Sequence, residues 1–303
     1  MTLEHPDPSS IAYDGARPAL LIGDSGAALD DARALLAGAG LRLAGECALA
    51  DAAERLERQA AAALVWTEFG AQAPEPALTD RLARLAESGT PIVVAIAPDQ
   101  IDPVDFALSR PGVQILVEPS AMERAAAVSL ALAARDAPAR VSDVGRDNAV
   151  RLRQLSDEVG RIAASLARLS TVPEAAPRPA LVARDFGQVP EVDGERVRAV
   201  IRARRLRARF FDEQLFADPA WDMLLDLLAA EIAQHRVPVS SLCIAAAVPA
   251  TTALRWIKTM TDAGLFVRRA DPHDGRRIFV ELSPEASAAM RQYFAEAGEM
   301  AGL

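Results

Sequence analysis

Between residues 239 and 283, hydroxyl, guanidinium and ammonium groups recur at spacings suited to holding nucleic acid rather than to breaking bonds. Thr251, Thr252, Arg255, Lys258, Thr259 and Asp262 fall on one side of an expected helix over 250–263, opposite an apolar stripe of Ala253, Leu254, Ile257, Met260 and Leu265. A threonine can meet a thymine methyl or a phosphate, and an arginine can fork onto guanine. Lys258 is the only lysine in the chain and lies further along the helix, where a phosphate contact is expected. Ser240, on a short helix ahead of a turn at Val248-Pro249, completes the DNA-facing set on the helices.

The elements that must position these groups can be read around them. Gly264 stands where a helix stop wants a left-handed residue. Phe266-Val267-Arg268-Arg269 and residues 278–282 read as strands, and Asp271-Pro272-His273-Asp274-Gly275 carries turn chemistry between them. Arg276 and Arg277 sit at the hairpin tip, placed for an adjacent minor groove or its phosphates. Helix, turn, helix and basic β-hairpin in that order make a winged helix-turn-helix, a module that reads duplex DNA. The plainer alternative is a solvated basic hairpin on an ordinary α+β domain.

Residues 250–286, ATTALRWIKTMTDAGLFVRRADPHDGRRIFVELSPEA, resemble the winged helix-turn-helix of MarR-type transcriptional regulators. They follow that family's recognition helix, its x-GL-x-x-R, its D-x-R wing and its closing V-x-L-(S/T)-x-x-(G/A). The resemblance implies that Thr251, Thr252 and Arg255 read bases. It also implies that Asp274 orients the Arg276 guanidinium toward a minor groove. Ala286 stands where the family often has glycine.

Residues 219–234 read as an amphipathic helix behind the reading pair, with Trp221, Leu224, Leu225, Leu228 and Ile232 as its apolar side. Residues 195–211 hold seven arginines, either for phosphate contact or dimerisation or as a solvated face neutralised by nearby acids. The chain is net -9, which taken alone argues against nucleic acid. Counted from Arg196 to the end, however, 15 basic residues face 13 acidic ones, and within 240–280 six face three. The positive charge is local to the expected reading surface.

The N-terminal region alternates short apolar strands (19–22, 41–48, 62–66, 91–97, 113–117) with helices at 28–38, 51–59, 78–87 and from Ser120 onward. Ser120 and Glu123 are spaced as a capping box. This predicts an α/β doubly wound parallel sheet. In order and length the region resembles a response-regulator receiver domain, ending on Val117-Glu118-Pro119. The receiver's chemistry is missing: Asp24 stands alone where an acidic pair is needed, Trp66-Thr67-Glu68 offers no phosphoacceptor aspartate, and Glu118 replaces the lysine. The reading is a pseudo-receiver that senses or assembles without phosphorylation. Asp24, Glu68 and Glu118 mark its candidate ligand or partner face. Gly23-Asp24-Ser25-Gly26 raises nucleotide binding but lacks the full glycine spacing.

Between these parts, Leu152, Leu155, Val159, Ile162, Leu166 and Leu169 form a seam of about three heptads. That predicts a dimerising coiled-coil helix over 140–170, with Asn148 on the same seam, favoured over one long helix packing on its own domain. A proline-rich linker over 171–194 follows. The expected organisation is thus a flexible tail (1–17), a pseudo-receiver α/β domain (18–136), the coil, the linker and a winged helix-turn-helix (195–303). The expected partners are double-stranded DNA and a second copy of the chain, with a protein or small-molecule effector at the N-terminal domain as a further candidate. The N-terminal half has one histidine, His5, and no nucleophile–base pair, phosphate loop or metal cluster, so no catalysis, metal or cofactor is expected. Cys47 and Cys243 have no metal-ligand spacing and suit a reduced cytoplasmic protein. A redox-sensing role for Cys243 is weighed against a small core residue, and the core is favoured. No run reaches membrane-spanning length. The alternative is a winged-helix protein-docking module attached to a nucleotide- or ligand-binding α/β domain.

Overall fold

The computed structural model describes residues 17–24, 26–58, 62–70, 74–136, 189–271, 274 and 277–301. The coiled-coil seam (Leu152, Leu155, Val159, Ile162, Leu166, Leu169), the N-terminal tail to 16 and the linker to 188 lie outside the described residues. The chain splits into two compact units, Met1–Ile96 with Arg110–Arg135, and Ala97–Ser109 with Asp136–Leu303.

The first unit runs β1 (Arg17–Gly23), α1 (Ala27–Gly38), β2 (Leu41–Cys47), α2 (Leu49–Glu57), β3 (Leu64–Glu68), α3 (Pro76–Glu87), β4 (Ile92–Ile96), β5 (Val113–Val117) and α5 (Ala121–Asp136). Its five strands pair in parallel in the order β2-β1-β3-β4-β5, as a doubly wound α/β fold requires. The inner strands are apolar because helices cover both faces, and every residue of β3 and β4 is buried. Leu21, Trp66, Val93 and Leu116 meet Leu29, Ala32 and Leu36 of α1 and Ala127, Val128 and Ala131 of α5 in one core. The capping box forms: the Ser120 N–H donates to Glu123 Oε2 at 2.9 Å, and the Glu123 N–H donates to Ser120 Oγ at 3.3 Å. Strand β3 begins two residues later than its pattern predicts, which brings Glu68 into the ladder opposite Gly23.

The second unit contains α4 (Ile101–Leu108), α6 (Gly194–Leu206), α7 (Pro219–Ile232), β6 (Val237–Pro238), α8 (Val239–Ala245), α9 (Ala250–Asp262), β7 (Phe266–Ala270), β8 (Ile278–Leu282) and α10 (Pro284–Ala301). Strands β6-β8-β7 form an antiparallel sheet with Phe266 opposite Leu282. Asp193 and Asp218 cap α6 and α7 by accepting the Glu195 and Trp221 N–H groups at 3.0 and 3.2 Å. The buried face of α7 is Pro219, Met223, Leu225, Leu227 and Leu228. Trp221, Leu224 and Ile232 are only half-buried, a rotation of the expected stripe that serves packing on α6, β8 and α8.

Candidate nucleic-acid interface

Helices α8 and α9 meet at 108°, inside the range of helix-turn-helix pairs. Ala247 makes the corner by adopting φ 53°, a left-handed conformation unusual for alanine, and Pro249 then starts α9. Leu242, Cys243 and Ala245 of the first helix, Ala253, Leu254, Ile257 and Met260 of the second, and Phe266, Val280 and Leu282 of the wing strands are all buried where these elements meet. Gly264 closes α9 at φ 75°, as its position predicts.

The reading face differs from its sequence pattern at Thr251, which is only 3% exposed and belongs to the buried side of α9. Thr251 lies three residues before Leu254 and so falls on the same buried face of the helix. The outward arc is Thr252, half-buried, then Arg255, Thr259 and Asp262, all exposed. Thr259 lies on the polar side expected for it, one helical turn beyond Arg255. Its hydroxyl donates to the Arg255 carbonyl at 2.9 Å. Lys258 lies at the edge of the arc and pairs with Asp262 at 3.2 Å. An exposed pair of this spacing is worth only about 0.3–0.5 kcal/mol, so a phosphate can displace it.

Ser240 is also placed differently from expectation, for both of its donors are taken. Its N–H and its hydroxyl donate to the two carboxylate oxygens of Asp102 on α4, at 3.0 and 2.7 Å. Beside it, Asp105 of α4 forms an ion pair with Arg268 of β7. Burial pushes the Asp105 carboxyl up, and Arg268 pulls it the other way.

In the wing, Asp274 pairs with Arg277 at 3.4 Å, and the Arg277 N–H donates to the Asp274 carbonyl at 3.0 Å, closing the turn. Arg276 lies outside the described residues. Arg269 binds Glu281 across the ladder at 2.7 Å. On α6 and the turn that follows it, part of the basic run is engaged within the unit. Arg204 grips Asp222, Arg198 binds Glu195 at 3.0 Å, Arg196 lies over Phe294 and Arg207 over Phe216. Arg204 is thereby committed to the fold, whereas Arg198, Arg202, Arg205 and Arg209 are exposed, so the run keeps both a structural and a phosphate-facing part.

In the first unit, Asp24, Glu68 and Glu118 do not form one acidic site. Glu68 is turned into the core, where it pairs with Arg124 of α5 and accepts the Trp66 Nε1–H at 2.8 Å. The guanidinium also lies over the indole, 5.5 Å from its centroid. Glu68 is therefore withdrawn from the expected ligand face, because α5 supplies its own counter-charge. Asp24 accepts the Leu49 N–H at 3.3 Å at the start of α2, and Glu118 is exposed at φ 43°. A hollow of about 330 Å³ beside Gly23 and Gly26 is lined by Asp30, Arg33, Glu46 and Cys47. Its arginine already binds Asp30 at 2.6 Å and Glu46 at 2.7 Å, so it offers a phosphate no free positive charge.

Among the described residues no group of metal-ligating side chains is present. Burial pushes the Cys243 thiol up to about 12, with Asp105 and Asp102 adding to the effect. Cys47 is half-buried, and burial raises it as well. At pH 7.5 a thiol alkylating reagent is expected to modify Cys47 and to spare Cys243 until the protein is unfolded, as peptide mass mapping would read. Rapid native modification of Cys243 would restore the redox-sensing role.

Residues 228–286 match the model of the winged helix DNA-binding domain family. The matched segment takes in the end of α7, the helix pair and the wing, so the C-terminal part of the chain carries a winged helix-turn-helix. No curated protein matches the chain. Among solved structures the chain is similar to an uncharacterized protein from Neptuniibacter caesariensis, at 14% identity and a TM-score of 0.34, over 43% of this chain and 97% of that one. Among the described residues no single helix is long and apolar enough to cross a membrane.

Proposed function

We propose that this protein is a sequence-specific, duplex-DNA-binding transcription regulator of MarR type that acts as a homodimer. The observation that carries the reading is the 108° helix pair presenting Arg255 and Thr259 on the exposed side of α9, within a segment matching winged helix DNA-binding domains. Arg255 forks onto a guanine, Thr252 and Thr259 contact bases or backbone, and Lys258 takes a phosphate. Two copies place two reading heads on two half-sites. The heptad seam from Leu152 to Leu169 supports that pairing from sequence.

The N-terminal unit serves as a receiver-like sensing or assembly module without phosphotransfer. Its strand order is that of the flavodoxin-like doubly wound folds. The acid at the end of its third strand is held by Arg124 rather than offered to a metal or phosphoryl group. The protein is not an enzyme in this reading. A protein-docking role for the winged helix has one observation in its favour, the exposure of Ile244 on α8 at 80%. The charged face of α9 argues for DNA instead.

Lys258→Ala tests the assignment. It should weaken binding to every duplex by a similar factor and shallow the slope of log affinity against log salt by about one. A change in which sequence is preferred would show that α9 is oriented differently.

A further inference from the structure

Helix α4 is short and acidic, and it belongs to the same compact unit as the reading pair. Ile101, Val104 and Leu108 are buried, which seats the helix against α8 and β8. Its two carboxylates then meet two groups of the winged helix in different ways. Asp102 spans the N–H and the hydroxyl of Ser240 with one oxygen each, at 3.0 and 2.7 Å. A phosphate group would use two of its oxygens on the same two donors. Asp105 neutralises Arg268, the residue through which β7 leads into the wing.

We propose, resting on the DNA-reading assignment above, that α4 is a built-in competitor for DNA: Asp102 and Asp105 occupy Ser240 and Arg268 in place of duplex phosphates, and full affinity requires α4 to leave. The contact is made in a way that allows parting. One Arg268 amino nitrogen, Nη2, is buried without a hydrogen-bond partner, and the Asp105 carboxylate is desolvated against its own preference. A buried donor without a partner loses its hydration with nothing in return. The closed arrangement therefore sits at higher energy than a fully satisfied one, and DNA phosphates compete with it for the same groups. A shift between two such states needs only a small difference in free energy. Any partner that holds α4 away would raise DNA affinity without touching α9.

The test compares the full-length protein with Asp102→Ala by fluorescence anisotropy, on a selected genomic fragment and on a random duplex at the same salt. Asp102→Ala should bind both duplexes about tenfold more tightly, the size expected for freeing donors from one charge-assisted contact. Thermal melting checks that the variant is folded. Asp102→Asn, which removes the charge and keeps the shape, repeats the comparison and should gain in the same direction. Tighter binding by the variants, including binding by the variants alone, supports the competitor. Unchanged or weaker binding by folded variants, with the parent binding DNA, overturns it and leaves the DNA reading standing. Failure of parent and variants alike to bind any duplex at low salt overturns both.

Discussion

Arg124→Ala should lower the unfolding free energy of the N-terminal unit by about 3–5 kcal/mol, the range for removing one partner of a buried ion pair. The Arg124 and Glu68 side chains are each only 11% exposed. With the guanidinium gone, Glu68 would keep the Trp66 Nε1–H as its remaining side-chain donor and would have to stay charged in the core or take up a proton. The stacking of Arg124 on the Trp66 indole is lost as well. Most of the cost is the stranded carboxylate rather than the pair's own worth. The double variant Glu68→Leu with Arg124→Met should accordingly recover most of the loss. Urea unfolding followed through Trp66, with Trp221 and Trp256 replaced by Phe, would read both effects. A single-variant cost below about 1 kcal/mol, the level of an exposed pair, would show that Glu68 is solvated and open to a ligand.

The second large effect lies on the reading helix. Arg255→Ala should abolish discrimination among sequences, with a loss of about 1–3 kcal/mol on the best site. Arg255 is exposed and has no ion-pair partner among the described residues, so its guanidinium is free to fork. Its place on the exposed arc, one turn before Thr259, points it outward from the wing-backed side of the helix. Binding to random duplex should change little, because a base contact contributes little to sequence-independent affinity. Arg255→Lys should not restore discrimination, since an ammonium cannot make the planar two-point contact. Competition anisotropy against random duplex reads the ratio. Equal losses on specific and random duplex would make Arg255 a phosphate contact.

The sequence foretold most elements where local rules decide. Alternating strands and helices, the Ser120–Glu123 box and the Gly264 stop depend on short-range pattern and conformation, and all are present in the expected order, with element ends shifted by about two residues at most. What escaped were features set by distance or by tolerance. Helix α4 was absent from the expected elements, although its Pro103 fits the first turn of a helix, where no intrahelical N–H bond is lost. With α4 missing, the tie between Asp102 and Ser240, 138 residues apart in the chain, had no footing. The Glu68–Arg124 pair spans 56 residues, and no spacing rule joins an acid at a strand end to a base on a later helix. Thr251 was misplaced because its hydroxyl reads as outward, although its spacing of three from Leu254 puts it on the buried face. Ala247 gives no sign of its left-handed turn, a conformation more often signalled by glycine.

The measurement that bears most directly on the account is selection of genomic fragments by the purified full-length protein, followed by anisotropy on the best fragment across a salt series. Specific binding to a two-fold symmetric site, at two protein chains per duplex and weakening steeply with salt, is the predicted result. Absence of binding at low salt, or binding with no preference for any sequence, would contradict it.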